Sequence, residues 1–189
     1  MGELGDLEQY FNMQFDQLDH ICQSPSPWIF LCLAAFTDYL SNVPDTRPKG
    51  KHRYSDFITN RYPAKYKDFK YRSGKQDLPN QMYLILRNGL VHRFSLTPDA
   101  KGLRHDARFR SLYLAHRASG LKHLGHHAEP KRGIDAAILI AEDFLQDTKV
   151  VVTKMIRRAK RDRVLRQQIV NFIKGNPPVS GVDQGYFWL

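Results

Sequence analysis

Residues 77–95, DLPNQMYLILRNGLVHRFS, decide how this chain is read. Asp77 is a helix-capping residue type and Pro79 is tolerated in a first turn, so a helix start is well marked. From Met82 to Phe94 nearly every position is apolar, and a helix apolar almost all round belongs in a core. Set into it are Arg87, Asn88, His92 and Arg93. At about 3.6 residues per turn, Gln81, Asn88, His92 and Ser95 share one side with Arg87 at its edge, and Asn88 and His92 can touch. Burying such groups is costly unless they are satisfied, so a polar stripe on a core helix asks for a functional reason.

On either side the apolar residues recur at helical spacing. Leu7, Tyr10, Phe11, Phe15, Leu18, Ile21 and Cys22 make one face, and Ser24-Pro25-Ser26-Pro27 breaks it. Trp28 to Val43 reads as the central buried helix, ended by the loop at 44–50. Residues 52–72 interleave Arg53, Arg61, Lys65, Lys67, Lys70 and Arg72 with Tyr54, Tyr62, Tyr66, Phe69 and Tyr71. That mixture suits single-stranded RNA, but a bundle needs those rings inside, which favours rings to the core and cations to water. After the turn at 97–102, residues 107–117 alternate as a strand does, Leu121–Leu124 reads as its hairpin partner, and 138–140 is a third strand or the next helix start. A helix follows from Ala141, and Val164 to Ile173 forms a last helical face before Gly175 and Pro177-Pro178. The fold class is therefore mainly α: one domain over 1–189, a bundle of five to six helices with a β-hairpin insert between 105 and 140 (about 97–133 by its flanking turns). The aromatic tail 176–189 docks on its own domain or on a second protomer.

With 42% apolar and 25% charged residues the composition is that of an ordinary globular domain, and net charge +10 favours an anionic partner, of which nucleic acid is the commonest. The densest run, RRAKRDRVLR, carries Arg157, Arg158, Lys160, Arg161, Arg163 and Arg166. Cations at a helix C-terminus answer the macrodipole, but six in ten residues exceed that need and read as a phosphate-contacting surface. Cys22 and Cys32 lie in different helices without metal-ligand spacing and are expected as buried, reduced thiols. Five histidines crowd 105–127 (His105, His116, His123, His126, His127), but no metal-site spacing accompanies them, so loop or strand surface is expected and no metal. Acidic Glu3, Asp6 and Glu8 exclude a signal peptide, and the apolar run 28–36 is too short to cross a bilayer. These readings favour a cytoplasmic location with no membrane attachment.

Arg87-Asn88-Gly89-Leu90-Val91-His92 resembles the signature of HEPN domains, helical-bundle ribonucleases in which an Arg followed by a polar residue is separated from a His by a short, variable stretch of four to six residues. Arg47 to His52, Arg110 to His116 and Arg117 to His123 fit the bare spacing too, but only Arg87 is followed by Asn inside a long apolar helix. The resemblance covers the motif helix and the bundle pattern, not the insert or the tail. It implies a metal-independent endoribonuclease without cofactor, of a toxin, defence or stress system, whose site is shared across a homodimer. An antitoxin or another protein is a further implied partner. Arg87, Asn88 and His92 would be its catalytic residues. Arg93, Arg157, Arg158, Lys160, Arg161 and Arg163 are the expected RNA contacts. The alternative is a non-catalytic HEPN-like module that binds RNA or a protein through the same basic surface.

Overall fold

A computed structural model describes residues 3–43, 53–72, 74, 77–91, 111–129 and 134–175. The chain is mainly helical with a small three-stranded sheet. The helices are α1 (Glu3–Cys22), α2 (Trp28–Asn42), α3 (Arg53–Arg61), α4 (Ala64–Asp68), α5 (Leu78–Met82), α6 (Ala141–Arg161) and α7 (Arg163–Gly175), with a π-helical segment (Tyr83–Val91) continuing α5. The strands are β1 (Leu112–Ala115), β2 (His126–Glu129) and β3 (Ile134–Ile140).

One apolar core joins the helices. The α1 face, Leu7, Phe11, Phe15 and Leu18, is buried together with Ile29, Phe30, Leu33 and Ala34 of α2 and Phe144, Leu145, Val151 and Val152 of α6. Of the aromatic residues in 52–72, Tyr54, Tyr62, Tyr66, Phe69 and Tyr71 are all buried, while Arg53, Lys65, Lys67, Lys70 and Arg72 are exposed. Rings inside and cations outside is the arrangement a bundle requires. Tyr62 also ties three helices, its hydroxyl lying 3.3 Å from Thr37 Oγ1 on α2 and 2.8 Å from Thr148 Oγ1 on α6. On the α1 side of α6, Lys149 donates to Asp19 and Lys160 to Glu8. Cys22 and Cys32 are free thiols but only partly buried, not buried as expected; burial, with Glu142 and Asp19 nearby, pushes Cys22 up to about 11.

The sheet corrects the hairpin expectation. β3 is central: β1 pairs with it in parallel (Leu112↔Ala137, Ala115↔Ile140) and β2 antiparallel (His126↔Ala137, Glu129↔Ile134). The expected partner, Leu121–Leu124, is not a strand. Its chain turns, with Gly125 N–H bonded to Lys122 O and Leu124 at φ 54; Leu124 N–H and Gly125 O already bond Ile138, and the strand itself runs from His126. The parallel β1–β3 pair then follows from the distance between them in sequence, because a tight turn makes antiparallel neighbours and a parallel pair needs a crossover. Ile138–Ile140 belongs to β3, and α6 starts directly behind it at Ala141.

The run 157–166 also differs from the expected single helix end. Arg157, Arg158, Lys160 and Arg161 close α6, but Asp162 interrupts and its Oδ1 accepts the Leu165 N–H at 2.9 Å, starting α7. Arg163 and Arg166 therefore sit in the first turns of a helix, where the macrodipole disfavours cations. Among the described residues no helix is long and apolar enough to cross a membrane.

Candidate functional site

The motif helix starts as the sequence says it should. Asp77 Oδ1 accepts the Asn80 N–H at 2.9 Å, and Leu78, Pro79, Gln81 and Met82 are buried. From Tyr83 the winding widens to i→i+5, and Ile85, Leu86 and Gly89 face the core against α2 and α3. Such segments are rare and are found disproportionately at functional sites. The wider winding turns Asn88 away from the side that Gln81 occupies, and His92 and Ser95, the rest of the expected stripe, lie outside the described residues. Gln81 and Asn88 consequently have separate surroundings. Gln81 is buried and its Oε1 accepts from Ser111 Oγ at 2.7 Å, whereas Asn88 is half-buried beside Arg87.

Arg87 is braced on three sides. Its Nη1 donates to Asn88 Oδ1 at 3.0 Å, its Nε to Asp38 Oδ1 on α2 at 3.3 Å, and its guanidinium carbon lies 5.8 Å from the centre of the Tyr83 ring. The side chain keeps 33% of its accessible surface, and Asp38 keeps 23%. A guanidinium held by its neighbours yet open to solvent can still present donors to a phosphate, since its fork offers five N–H groups. His92 and Arg93 lie outside the described residues, as do His105 and the tail 176–189.

The structure brings Arg87 and Asn88 together and separates the other expected RNA contacts. Arg157, Arg158 and Arg161 share one exposed side of α6. Lys160 points instead toward α1, paired with Glu8 at 2.7 Å, and Arg163 belongs to α7.

Two expectations about the histidines fail. His123 and His116 are not surface groups, with side chains only 7% and 13% exposed. His123 Nδ1 accepts the Ile140 N–H at 3.1 Å, which leaves the proton of the neutral ring on Nε2, 3.1 Å from Tyr66 Oη. Tyr66 in turn donates to Asp147 Oδ2 at 2.8 Å, and Lys65 reaches the same oxygen at 2.6 Å. Burial pushes the Asp147 carboxyl up, but the hydrogen bonds from His123, Lys65 and Tyr66 outweigh it and hold it below the ordinary carboxylate value. Burial and the Asp147 charge raise the Tyr66 hydroxyl far above the usual phenol. His116 Nε2 accepts the Ser26 N–H at 3.1 Å, linking the α1–α2 turn to the end of β1. His126 is exposed against Phe69, as a strand-surface residue should be. Among the described residues no group of His, Cys, Asp and Glu is placed to hold a metal ion.

Sequence reasoning missed Asp38 and Asp147. The signal for Asp38 was present, since Thr37, Asp38, Ser41 and Asn42 interrupt an otherwise apolar helix. Compared with known families, curated proteins and solved structures, the chain matches none.

Proposed function

We propose that the chain is a metal-independent endoribonuclease acting through Arg87, Asn88 and His92, the HEPN-like reading of its motif. RNA supplies its own nucleophile, the ribose 2′-OH beside the scissile phosphate. The protein must then move two protons and stabilise a charged pentavalent phosphorus. A neutral His92 takes the 2′-OH proton, and a protonated histidine, His92 of the partner subunit, serves the departing 5′-oxygen. Arg87 stays charged and meets the phosphorane oxygens. The observation that carries this reading is the state of Arg87: a guanidinium on a half-buried helical segment packed against α2, oriented by Asn88, Asp38 and Tyr83, and still one-third exposed.

The test is purified protein on mixed RNA, with and without chelator. Cleavage is expected to survive chelation and to leave 2′,3′-cyclic phosphate ends, and His92→Ala is expected to lower it by about 10²–10⁴-fold. Metal-dependent cleavage, or full activity in His92→Ala, would remove the motif helix as the active site.

The Asp38 contact favours a second reading. A carboxylate 3.3 Å from Arg87 Nε offsets part of the charge a phosphate would meet, as suits a non-catalytic module that binds RNA elsewhere on its basic surface. Specific RNA binding without cleavage by the wild-type protein is the outcome that selects it.

A further inference from the structure

The C-terminal end of α2 gathers two arginines from other elements. Arg87, on the π-helical segment, donates from Nε to Asp38 Oδ1 at 3.3 Å. One helical turn further along α2, Asn42 Oδ1 accepts from Arg53 Nη1 at 2.7 Å, while Asn42 Nδ2 donates to the Asp38 carbonyl oxygen at 2.7 Å. Asp38 and Asn42 are four residues apart, so they lie on one face of α2, about 6 Å apart along its axis. A second tie runs through aromatic residues. The ring of Tyr54, next in sequence to Arg53, has its centre 6.4 Å from that of Tyr83, on which the Arg87 guanidinium rests at 5.8 Å. Tyr54 is buried and Arg53 is exposed, so the start of α3 keeps its ring in the core and its cation outside.

What each guanidinium has left over decides what the pair can do. Of its five N–H groups Arg87 gives one to Asp38 and one to Asn88, and Arg53 gives one to the Asn42 amide. Asp38 is the one carboxylate that either arginine pairs with among the described residues, and it lies against Arg87. The pair therefore keeps a net positive charge and several unspent donors, which phosphate oxygens can accept. Holding a long side chain in place before its ligand arrives removes part of the ordering cost of binding. With the two anchors one turn apart, a strand laid across this face meets the two forks with different phosphates. Among the described residues, none of the exposed large hydrophobic ones lies on α3 or the π-helical segment, so the face lacks the apolar edge that enters a lipid surface.

We propose that Arg53 is a second phosphate-binding residue of this site, gripping the phosphate next to the one held by Arg87 on a single RNA strand. Asn42 is its positioning residue. The proposal rests on the ribonuclease reading only in making the Arg87 phosphate the scissile one. The neighbouring phosphate does not change its charge during cleavage. Arg53 therefore binds ground state and transition state alike, and acts on KM rather than on kcat.

The experiment combines steady-state cleavage of a labelled oligouridylate with its anisotropy titration across a range of salt. Arg53→Gln is expected to raise KM by about tenfold at near-wild-type kcat, as loss of a charge-assisted hydrogen bond to bound substrate does. It is also expected to flatten the slope of log affinity against log salt by ~0.7, for one single-strand phosphate no longer neutralised. Lys67→Gln removes the same charge from an exposed position on α4 and is expected to leave both readings near wild type. Unchanged KM and slope in Arg53→Gln, an equal effect in Lys67→Gln, or a kcat loss at unchanged KM overturns the assignment. So does a labelled oligoglutamate that binds as tightly and loses as much in Arg53→Gln, since the occupant is then an acidic peptide. A thermal melt of each variant verifies folding. Should Arg53→Gln not fold, Arg53→Lys keeps the cation and removes the fork; KM is then expected to rise with the salt slope retained, and a wild-type KM is equally fatal. The two proposals fail separately. A flattened slope in a protein that never cleaves RNA sinks the nuclease and keeps Arg53 as a phosphate contact, while cleavage with KM and slope unchanged in Arg53→Gln does the reverse.

Discussion

Arg87 carries most of the functional argument, and its neighbours define what its removal should do. The guanidinium is one-third exposed and its ion pair with Asp38 is solvated, a kind of pair worth about 0–1 kcal/mol. Arg87→Ala should therefore leave thermal stability almost unchanged while lowering RNA cleavage by ~10²–10³-fold, because the phosphorane charge is then unanswered. A melt and a cleavage assay on the same preparation check both halves; a large drop in melting temperature would make Arg87 structural. Asp147 is the opposite case. It is buried, receives three side-chain partners, and its folded-state value is depressed, so its contribution is present above the unfolded carboxylate value of about 4 and is lost as pH falls through the lower folded value. Asp147→Asn should cost ~1–3 kcal/mol near pH 7, and the gap to wild type should narrow below about pH 4. Urea titrations at the two pH values measure it, and a gap independent of pH would refute the assignment. Of these two residues, Arg87 was legible in the sequence because a charged group stands out in an apolar helix. Asp147 was not, since its partners come from positions 65, 66 and 123 and no local spacing joins them. For the same reason His123 reads as surface in sequence and is buried in the fold.

Among the elements, those with long apolar periods were legible: α1, α2, α6 and α7 begin and end within a few residues of their sequence signals. The winding of the motif helix was not. Residues 83–91 are apolar nearly all round, so their pattern holds no stripe from which α could be told from π. Pairing in the small sheet was equally hidden, because short strands carry no information on partner or direction, and one left-handed residue at Leu124 was enough to move the partner strand to 126–129. The α6–α7 break gives a sharper test of local rules. Asp162 caps α7 through the Leu165 N–H and sets a negative charge beside Arg163 and Arg166, which the helix N-terminus otherwise repels. Asp162→Ala should cost ~1–2 kcal/mol, the upper part of the usual N-cap range, because the dipole then faces cations alone. Urea unfolding of the variant measures it, and no loss of stability would mean the two helices are joined by packing rather than by the cap.

At the scale of the whole molecule the question is whether one chain suffices. The motif supplies one histidine, His92, while cleavage by 2′-OH attack moves two protons, so a complete site needs a second proton-transfer group. A two-fold axis that juxtaposes two motif helices supplies it by symmetry, as an isologous interface brings the same residue from both sides. Mixing discriminates this from a self-contained site. When wild type and His92→Ala are unfolded and refolded together in equal amounts, random pairing gives about a quarter wild-type dimers and about half mixed ones. If each site needs both histidines, activity should fall to about a quarter of the wild-type value at the same total protein; if each protomer works alone, it should fall to about a half. The +10 charge of each chain opposes self-association at low ionic strength, so the mixing is done at moderate salt, where screening weakens that repulsion and also the binding of RNA. Saturating protein removes the second effect. A result of one half would leave His92 catalytic but require its proton-transfer partner within the same chain, and the shared site would be abandoned.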